Sequence, residues 1–324
     1  MKKRVLVCGA SGFIGRNIFE RLSQKQDLDV YGIYLYSPSL IHTEPHAKLW
    51  RVDLTERDSV RKITKEFDCI IHAAALTDGL GAVKANPGKY IADNIIMNTN
   101  IAEAVLLNDI PHLMFMGSSV VYPSKPTPQK EEEADLSLIH PQYFMGARIK
   151  TCMEDLCKFY SQHCNTRFTI IRHCNIYGPY DKFNLQKGHV FAATIKKVLS
   201  ANDGDDVIIW GEGKEERDLL YASDLVDFIE TAVTKNFEPR YNIFNISSGT
   251  TISVSDLVKK IIEISGKRVG IRYDPSKPSL GNQIILDWQK AYKTFGWQPK
   301  VDLNQGIRQT IDWYLKNQGE QSGK

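Results

Sequence analysis

The 324-residue chain lacks most of the features that would place it outside ordinary globular proteins. No apolar run approaches the ~18 residues of a membrane span, so no membrane contact is expected. No charge of one sign dominates: 41 Lys and Arg against 38 Asp and Glu leave +3, with pI ≈ 8.4. Nucleic-acid-binding domains usually exceed a pI of ~9 and cluster their basic residues, so no nucleic-acid partner is expected. A small anionic ligand needs only a few local cations and is not opposed by this balance. Glycine (22) and proline (13) are too few for a collagen-like or low-complexity chain. Cysteine is scarce as well. The six, Cys8, Cys69, Cys152, Cys157, Cys164 and Cys174, form no C-x-x-C pair and do not stand among histidines at zinc-ligand spacing. No metal site is expected, and a reduced, cytoplasmic protein with buried thiols is the plain reading. Met1-Lys2-Lys3-Arg4-Val5-Leu6-Val7 imitates the start of a signal peptide, but its apolar stretch stops at Gly9.

What is present is a rhythm. Arg4–Cys8, Val30–Leu35, Leu49–Val52, Cys69–Ala73 and Leu113–Met116 read as short buried strands. Helical patterns lie between them at Phe13–Ser23, Asp58–Lys65 and Lys89–Asn108. Such alternation predicts a parallel sheet with helices on both faces. A long helix is expected over Gln142–His163 and a strand over Phe168–Arg172. After Tyr177-Gly178-Pro179-Tyr180 the rhythm breaks into short pieces, with turns at Asn202-Asp203-Gly204 and Gly211-Glu212-Gly213. Ala222–Thr234 (helix) and Tyr241–Ile246 (strand) are expected to return to the main sheet. A last unit holds helices at Ser253–Ser265 and Asn304–Lys316, a strand at Val269–Tyr273 and a polar, frayed tail at Gln318–Lys324. Lys130-Glu131-Glu132-Glu133 reads as a solvated loop.

The strongest local signal is Gly9-Ala10-Ser11-Gly12-Phe13-Ile14-Gly15, directly after a strand and opening a helix. The first glycine allows the tight turn, the second lets backbone approach a pyrophosphate, and the third lets helix pack on strand. The helix N-terminus then offers N–H donors to the phosphates. The expected cofactor contacts are Gly9, Ser11, Gly12, Phe13, Ile14 and Gly15, then Asp53, Leu54, Ala73, Ala74 and Ala75. Asp53 could reach the adenine edge or cap the following helix. An acid at the end of the second strand would select NAD through the ribose hydroxyls. Tyr34-Leu35-Tyr36-Ser37 offers no carboxylate and no arginine, which favours NADP(H) over NAD(H).

Together with Ala73-Ala74-Ala75, Gly117-Ser118-Ser119-Val120-Val121-Tyr122-Pro123 and Asn175-Ile176-Tyr177-Gly178-Pro179, this chain resembles the extended short-chain dehydrogenase/reductase family. Trp210-Gly211-Glu212-Gly213 with Arg217-Asp218 is similar to that family's substrate-side segment. Further pieces resemble its GDP-L-fucose synthase branch. They are Tyr180-Asp181-Lys182-Phe183, Gly188-His189-Val190, Ser276-Lys277-Pro278 and Leu286-Asp287. The resemblance implies an α/β fold: a Rossmann-type doubly wound parallel sheet with a smaller C-terminal α/β substrate domain. The expected division is 1–177 with 219–248 for the dinucleotide, and 178–218 with 249–324 for the nucleotide sugar. It also implies a homodimer through the long helix.

The resemblance assigns roles. Ser118 would bond the C4 carbonyl oxygen, helped by Ser119, and Lys150 would bind the nicotinamide ribose. His189 would be an acid or base beside the nicotinamide, or a structural histidine. Ser119, Val120, Asn175, Lys197, Trp210 and Arg217 would line the sugar nucleotide. Lys150, Lys197 and Arg217 could instead be surface charges, and Asn175 could simply end a strand. Two positions depart from the family. Its tyrosine stands four residues before the lysine, on the same helix face, where the lysine charge lowers its pKa. Here that residue is Gly146, by natural divergence or by replacement. Tyr143, two turns from Lys150, is either a substitute donor or a packing aromatic. The second departure is Val120, where the branch has a cysteine that partners the histidine in epimerisation. The expected activity is therefore NAD(P)H-dependent 4-keto reduction of a GDP-linked 4-keto-6-deoxy hexose or heptose, without C3/C5 epimerisation and slowed by the missing phenol. The alternatives are a nucleotide-sugar epimerase or dehydratase, and a non-catalytic cofactor-binding protein.

Overall fold

The computed structural model describes residues 1–36, 48–77, 87–185, 188–276, 281 and 283–317. Ser37, Lys277-Pro278 and the tail from Gln318 lie outside the described residues.

The first half alternates as its apolar runs dictate. The strands are β1 (Lys3–Cys8), β2 (Leu28–Tyr34), β3 (Lys48–Arg51), β4 (Cys69–His72), β5 (His112–Met116) and β6 (Arg167–His173). The helices between them are α1 (Phe13–Ser23), α2 (Arg57–Ile63), α3 (Pro87–Leu107) and α4 (Phe144–Tyr160). All of these strands pair in parallel in the order β6-β5-β4-β1-β2-β3. Both faces of the sheet are buried, which is why its strands read as continuous apolar runs and not as alternating ones. Val5, Val7, Met114 and Ile171 face one core, and Leu6, Cys8, Ile70 and Leu113 face the other.

The chain then leaves the sheet through β7 (Asn175–Tyr177), α5 (Val190–Ser200), β8 (Asp206–Trp210) and β9 (Glu216–Tyr221). Helix α6 (Ala222–Thr234) and strand β10 (Tyr241–Ile246) bring it back, β10 joining the sheet beside β6. The last elements are β11 (Thr251–Ser253), α7 (Val254–Ser265), β12 (Gly270–Asp274), α8 (Gln289–Phe295) and α9 (Leu303–Lys316). They build a three-stranded sheet, β11-β9-β7, and a two-stranded one, β12-β8. A third apolar cluster, with Phe191, Ile195, Leu257, Ile261 and Ile307, fills the space between them. The strand order reverses between β1 and β4, and ligands of such sheets bind outside the strands' carboxyl ends at that point.

Three expectations are corrected. The helix expected over 142–163 runs only from Phe144 to Tyr160. Pro141–Tyr143 form a separate 3₁₀ turn capped by the His140 ring, and residues 161–163 form a turn. Lys130–Glu133 is not a plain solvated loop. It forms a 3₁₀ turn, and Glu131 accepts the Asn245 N–H at 2.9 Å. Burial pushes the Glu131 carboxyl above its ordinary range, partly offset by that bond. Finally, all six cysteines are free but not all are buried: Cys152 is exposed.

Candidate active site

The glycine turn is shaped for contact with something close. Gly9 and Ala10 both donate to the Ile33 carbonyl, and Gly12 donates to the Gly9 carbonyl at 2.9 Å. Gly9 has φ +83°, and a Cβ there would stand 2.7 Å from the Ala74 backbone. A Cβ on Gly15 would stand 2.1 Å from the Gly9 oxygen. The N-cap of α1 is Gly12, with no side chain bonding the first turn. The free N–H groups of that turn therefore face the C-terminal edge of the sheet, as a pyrophosphate requires. Phe13 and Ile14 are half-buried behind the loop, and Ser11 donates to the Tyr36 carbonyl at 3.0 Å. The cradle fits a dinucleotide.

Around it, Ala73 donates to the Cys8 carbonyl, so Ala73–Ala75 continue past β4 along the edge of the loop. Leu54 is buried, and its carbonyl accepts from Asn100 at 3.0 Å. Asp53 does not cap α2. Its Oδ1 accepts from the backbone and the hydroxyl of Thr55, and Glu56 is the N-cap. No described residue from Tyr34 to Tyr36 is acidic. Arg51 stands opposite Tyr34 in the β2–β3 register and is exposed. Sequence reading confined to one strand end missed this arginine, because it belongs to the next strand.

Beyond the sheet's middle a second group converges. Ser118 and Ser119 follow β5, both half-buried, and the Ser118 hydroxyl accepts from the Val120 N–H at 3.3 Å. Lys150 on α4 donates to the Met116 carbonyl at 2.7 Å and lies 4.8 Å from the Phe115 ring centroid. Burial pulls its ammonium down to about 8, opposed by Glu154 one turn away. His173 ends β6. Met116 pairs with Ile171, so the chain beyond β6 at His173 leaves the sheet at the same edge as the chain beyond β5 at Ser118. Its Nδ1–H donates to the Cys174 carbonyl at 2.8 Å, leaving Nε2 as an acceptor. Burial lowers His173 to about 4, and the charges of Lys150 and His189 add to that fall. Lys150, and His189 when protonated, therefore act on one imidazole, which the sequence reading did not single out.

Gly146 sits exposed on α4, and a Cβ there would meet nothing within 4 Å. No packing constraint calls for glycine. Tyr143 lies in the 3₁₀ turn before α4, half-buried, its ring 6.1 Å from that of His140.

His189 is the N-cap of α5 and is 61% exposed at the side chain. Its Nδ1–H donates to Oδ1 of buried Asp181 at 3.2 Å. That bond holds the imidazole above its ordinary range against the cost of desolvation. On the substrate side, Asn175 is exposed and donates to the Asp218 carbonyl at 3.2 Å. Half-buried Arg217 donates to the Glu216 carbonyl. Lys197 donates to the Ile208 carbonyl at 2.9 Å, with its ammonium 5.8 Å from the ring of exposed Trp210. Lys197 and Trp210 thus meet, while Arg217 and Asn175 lie on the paired strands β9 and β7.

The loop joining these groups is fixed to the cofactor helix. Asn17 donates to the Pro179 carbonyl at 2.9 Å, and the Tyr180 hydroxyl donates to Glu20 at 2.5 Å. The Arg16 guanidinium lies 3.9 Å from the Tyr180 ring centroid.

Residues 5–247 match the model of the NAD dependent epimerase/dehydratase family. The GDP-L-colitose synthase of Yersinia pseudotuberculosis is 30% identical over 96% of this chain and 98% of its own length. The GDP-L-fucose synthase of Escherichia coli K12 is 25% identical, covering 98% of each. Among solved structures, a UDP-glucose 4-epimerase from Thermotoga maritima has a TM-score of 0.84 at 24% identity, covering 97% of this chain and 99% of that one. That last likeness concerns the fold alone. Family match, long-range relatives and Rossmann-type sheet agree: the chain belongs to the NAD dependent epimerase/dehydratase family, the extended short-chain dehydrogenase/reductases.

Proposed function

We propose that this chain is an NADPH-dependent 4-keto reductase of a GDP-linked 4-keto-6-deoxy sugar that leaves C3 and C5 unchanged. At the coarser level, its relatives support a nucleotide-sugar epimerase/reductase. The observation that carries the finer reading is an asymmetry. Ser118 follows β5 and Lys150 of α4 bonds the carbonyl of Met116, the last residue of that strand, while Val120 stands where the branch has its epimerising thiol.

The nicotinamide, when bound, supplies the hydride equivalent. The chain's own residues do the rest. The α1 N-terminus holds the diphosphate. Lys150, anchored by the Met116 carbonyl, binds the ribose through its remaining N–H groups. Ser118 donates to the C4 oxygen and so polarises the carbonyl. Arg217, Lys197 and Trp210 take the nucleotide diphosphate. Arg51 takes a 2′-phosphate, which supports NADP over NAD. We take 1–177 with 219–248 as the cofactor part and 178–218 with 249–324 as the sugar-nucleotide part. Exposed Ile95 and Ile96 on α3 and Phe159 on α4 support a homodimer across these helices.

The test is incubation with NADPH and a GDP-4-keto-6-deoxy sugar in deuterated water. The expected product is the 4-hydroxy sugar with no deuterium at C3 or C5. Label entering either carbon would favour the epimerase reading, for which the retained His189 speaks.

A further inference from the structure

Gly146 removes the phenol that would protonate the C4 oxygen, yet the site keeps another acid. His189 is exposed, and its imidazole is aimed by a carboxylate that has little else to do. Asp181 is buried, with a relative exposure of 4%. Its Oδ1 accepts from the His189 Nδ1–H and from the Lys182 backbone N–H at 2.7 Å. Its Oδ2 is buried with no partner among the described residues. A buried carboxylate so poorly satisfied is stabilised chiefly by a neighbouring positive charge, and among the described residues the His189 imidazole is the basic side chain it bonds. The same bond fixes the tautomer: Nδ1 carries the proton toward Asp181, and Nε2 is the nitrogen left to face a ligand.

We propose that Asp181 is a positioning residue that makes the Nε2–H of His189 the proton donor for 4-keto reduction in the place left by Gly146. The inference rests on the reductase reading above. The step balances. As hydride reaches C4, the carbonyl π pair moves to oxygen, the oxygen takes the Nε2 proton, and neutral His189 regains a proton from solvent, to which it is open. The groups facing His189 are Asp181 and Lys182 of its own loop and His173 at the end of β6. Lys182 opposes protonation and Asp181 favours it, the latter being the larger effect. Activity therefore falls as pH rises through the His189 titration.

The experiment uses the full chain. NMR titration of the histidines, with His189 assigned by its loss in His189→Gln, is run without cofactor on the unchanged chain and on Asp181→Asn. The His189 midpoint falls in Asp181→Asn. Turnover with NADPH and the keto sugar is then measured for the unchanged chain, Asp181→Asn, His189→Gln, and His189→Gln combined with Gly146→Tyr. His189→Gln loses roughly 10²-fold or more in kcat, the usual worth of a general acid. In Asp181→Asn the alkaline limb moves to lower pH. The added Gly146→Tyr restores turnover to His189→Gln, which no merely structural loss would allow. Full turnover in His189→Gln, an unmoved midpoint in Asp181→Asn, or no rescue by Gly146→Tyr overturns the inference and leaves the reductase reading standing. If the unchanged chain performs no reduction, both fall.

Discussion

Arg172 grips Glu154 with two parallel hydrogen bonds, Nε to Oε1 at 3.0 Å and Nη2 to Oε2 at 2.6 Å, both residues buried. Its remaining arm reaches the Tyr122 hydroxyl at 2.9 Å and the Glu131 carbonyl at 2.8 Å. The pair ties α4 to β6, and Glu154 lies one helical turn from Lys150 on the same face. Breaking it by Glu154→Ala strands a buried guanidinium. We expect a loss of about 3–5 kcal/mol, and recovery of most of it in Arg172→Met/Glu154→Leu. Denaturant unfolding of the three chains measures both.

Gly146 is the position where an added side chain should help in two independent ways. Gly146→Ala should raise stability by up to roughly 0.5–1 kcal/mol, the cost of a helix-interior glycine, since Gly146 lies in the first turn of α4 and the Cβ meets nothing within 4 Å. Gly146→Tyr should add a second proton donor beside His189 and raise NADPH oxidation with the keto sugar above that of the unchanged chain. Equal rates in the two chains would mean that the missing phenol is not what limits turnover.

Gly15→Ala should abolish cofactor binding. The new methyl would lie 2.1 Å from the Gly9 oxygen, and backbone cannot yield as a flexible side-chain end would. Quenching of NADPH fluorescence by the folded variant reads the loss directly. Retained affinity would show that the α1 turn can open without cost.

Lys150 predicts two opposite responses to alkali. Its ammonium is pulled down to about 8 by burial. Affinity for the cofactor ribose should therefore fall as pH passes 8. The folded chain there binds fewer protons than the unfolded one, so the stability contribution of this group rises between about 8 and its ordinary value of ~10.4. Lys150→Met should remove both trends, as cofactor titration and unfolding at pH 7 and 9.5 would record.

Much of this was legible in the sequence where structure is local. Phe13–Ser23, Ala222–Thr234 and Tyr241–Ile246 take the bounds that their periodicity predicts. The glycine turn was legible because each glycine answers a backbone contact only a few residues away, or against the Ala73–Ala74 segment. What was missed depends on distant partners. Asp206–Trp210 alternates between buried and exposed on a two-stranded edge, and its only strand partner among the described residues is Gly270–Asp274. Arg51 becomes interesting only once β3 lies beside β2. Asp181 stood only within the Tyr180-Asp181-Lys182-Phe183 run of the resemblance, where nothing says that its carboxylate is buried against a histidine eight residues later. His173 fell just beyond the strand expected over Phe168–Arg172, and its interest comes from a desolvated site within reach of the Lys150 charge.

The seam between α1 and the Pro179–Tyr180 turn carries a consequence for how this sequence can drift. Arg16, Asn17 and Glu20 sit on the cofactor helix but spend their side chains on a loop some 160 residues away. The constraint on those three positions therefore comes from a segment far away in sequence but adjacent in space, and a change at any of them should be tolerated only alongside a matching change at Pro179 or Tyr180. Chains grafted at the boundary between the glycine turn and the later loop would inherit a mismatch there even with every ligand-facing residue intact.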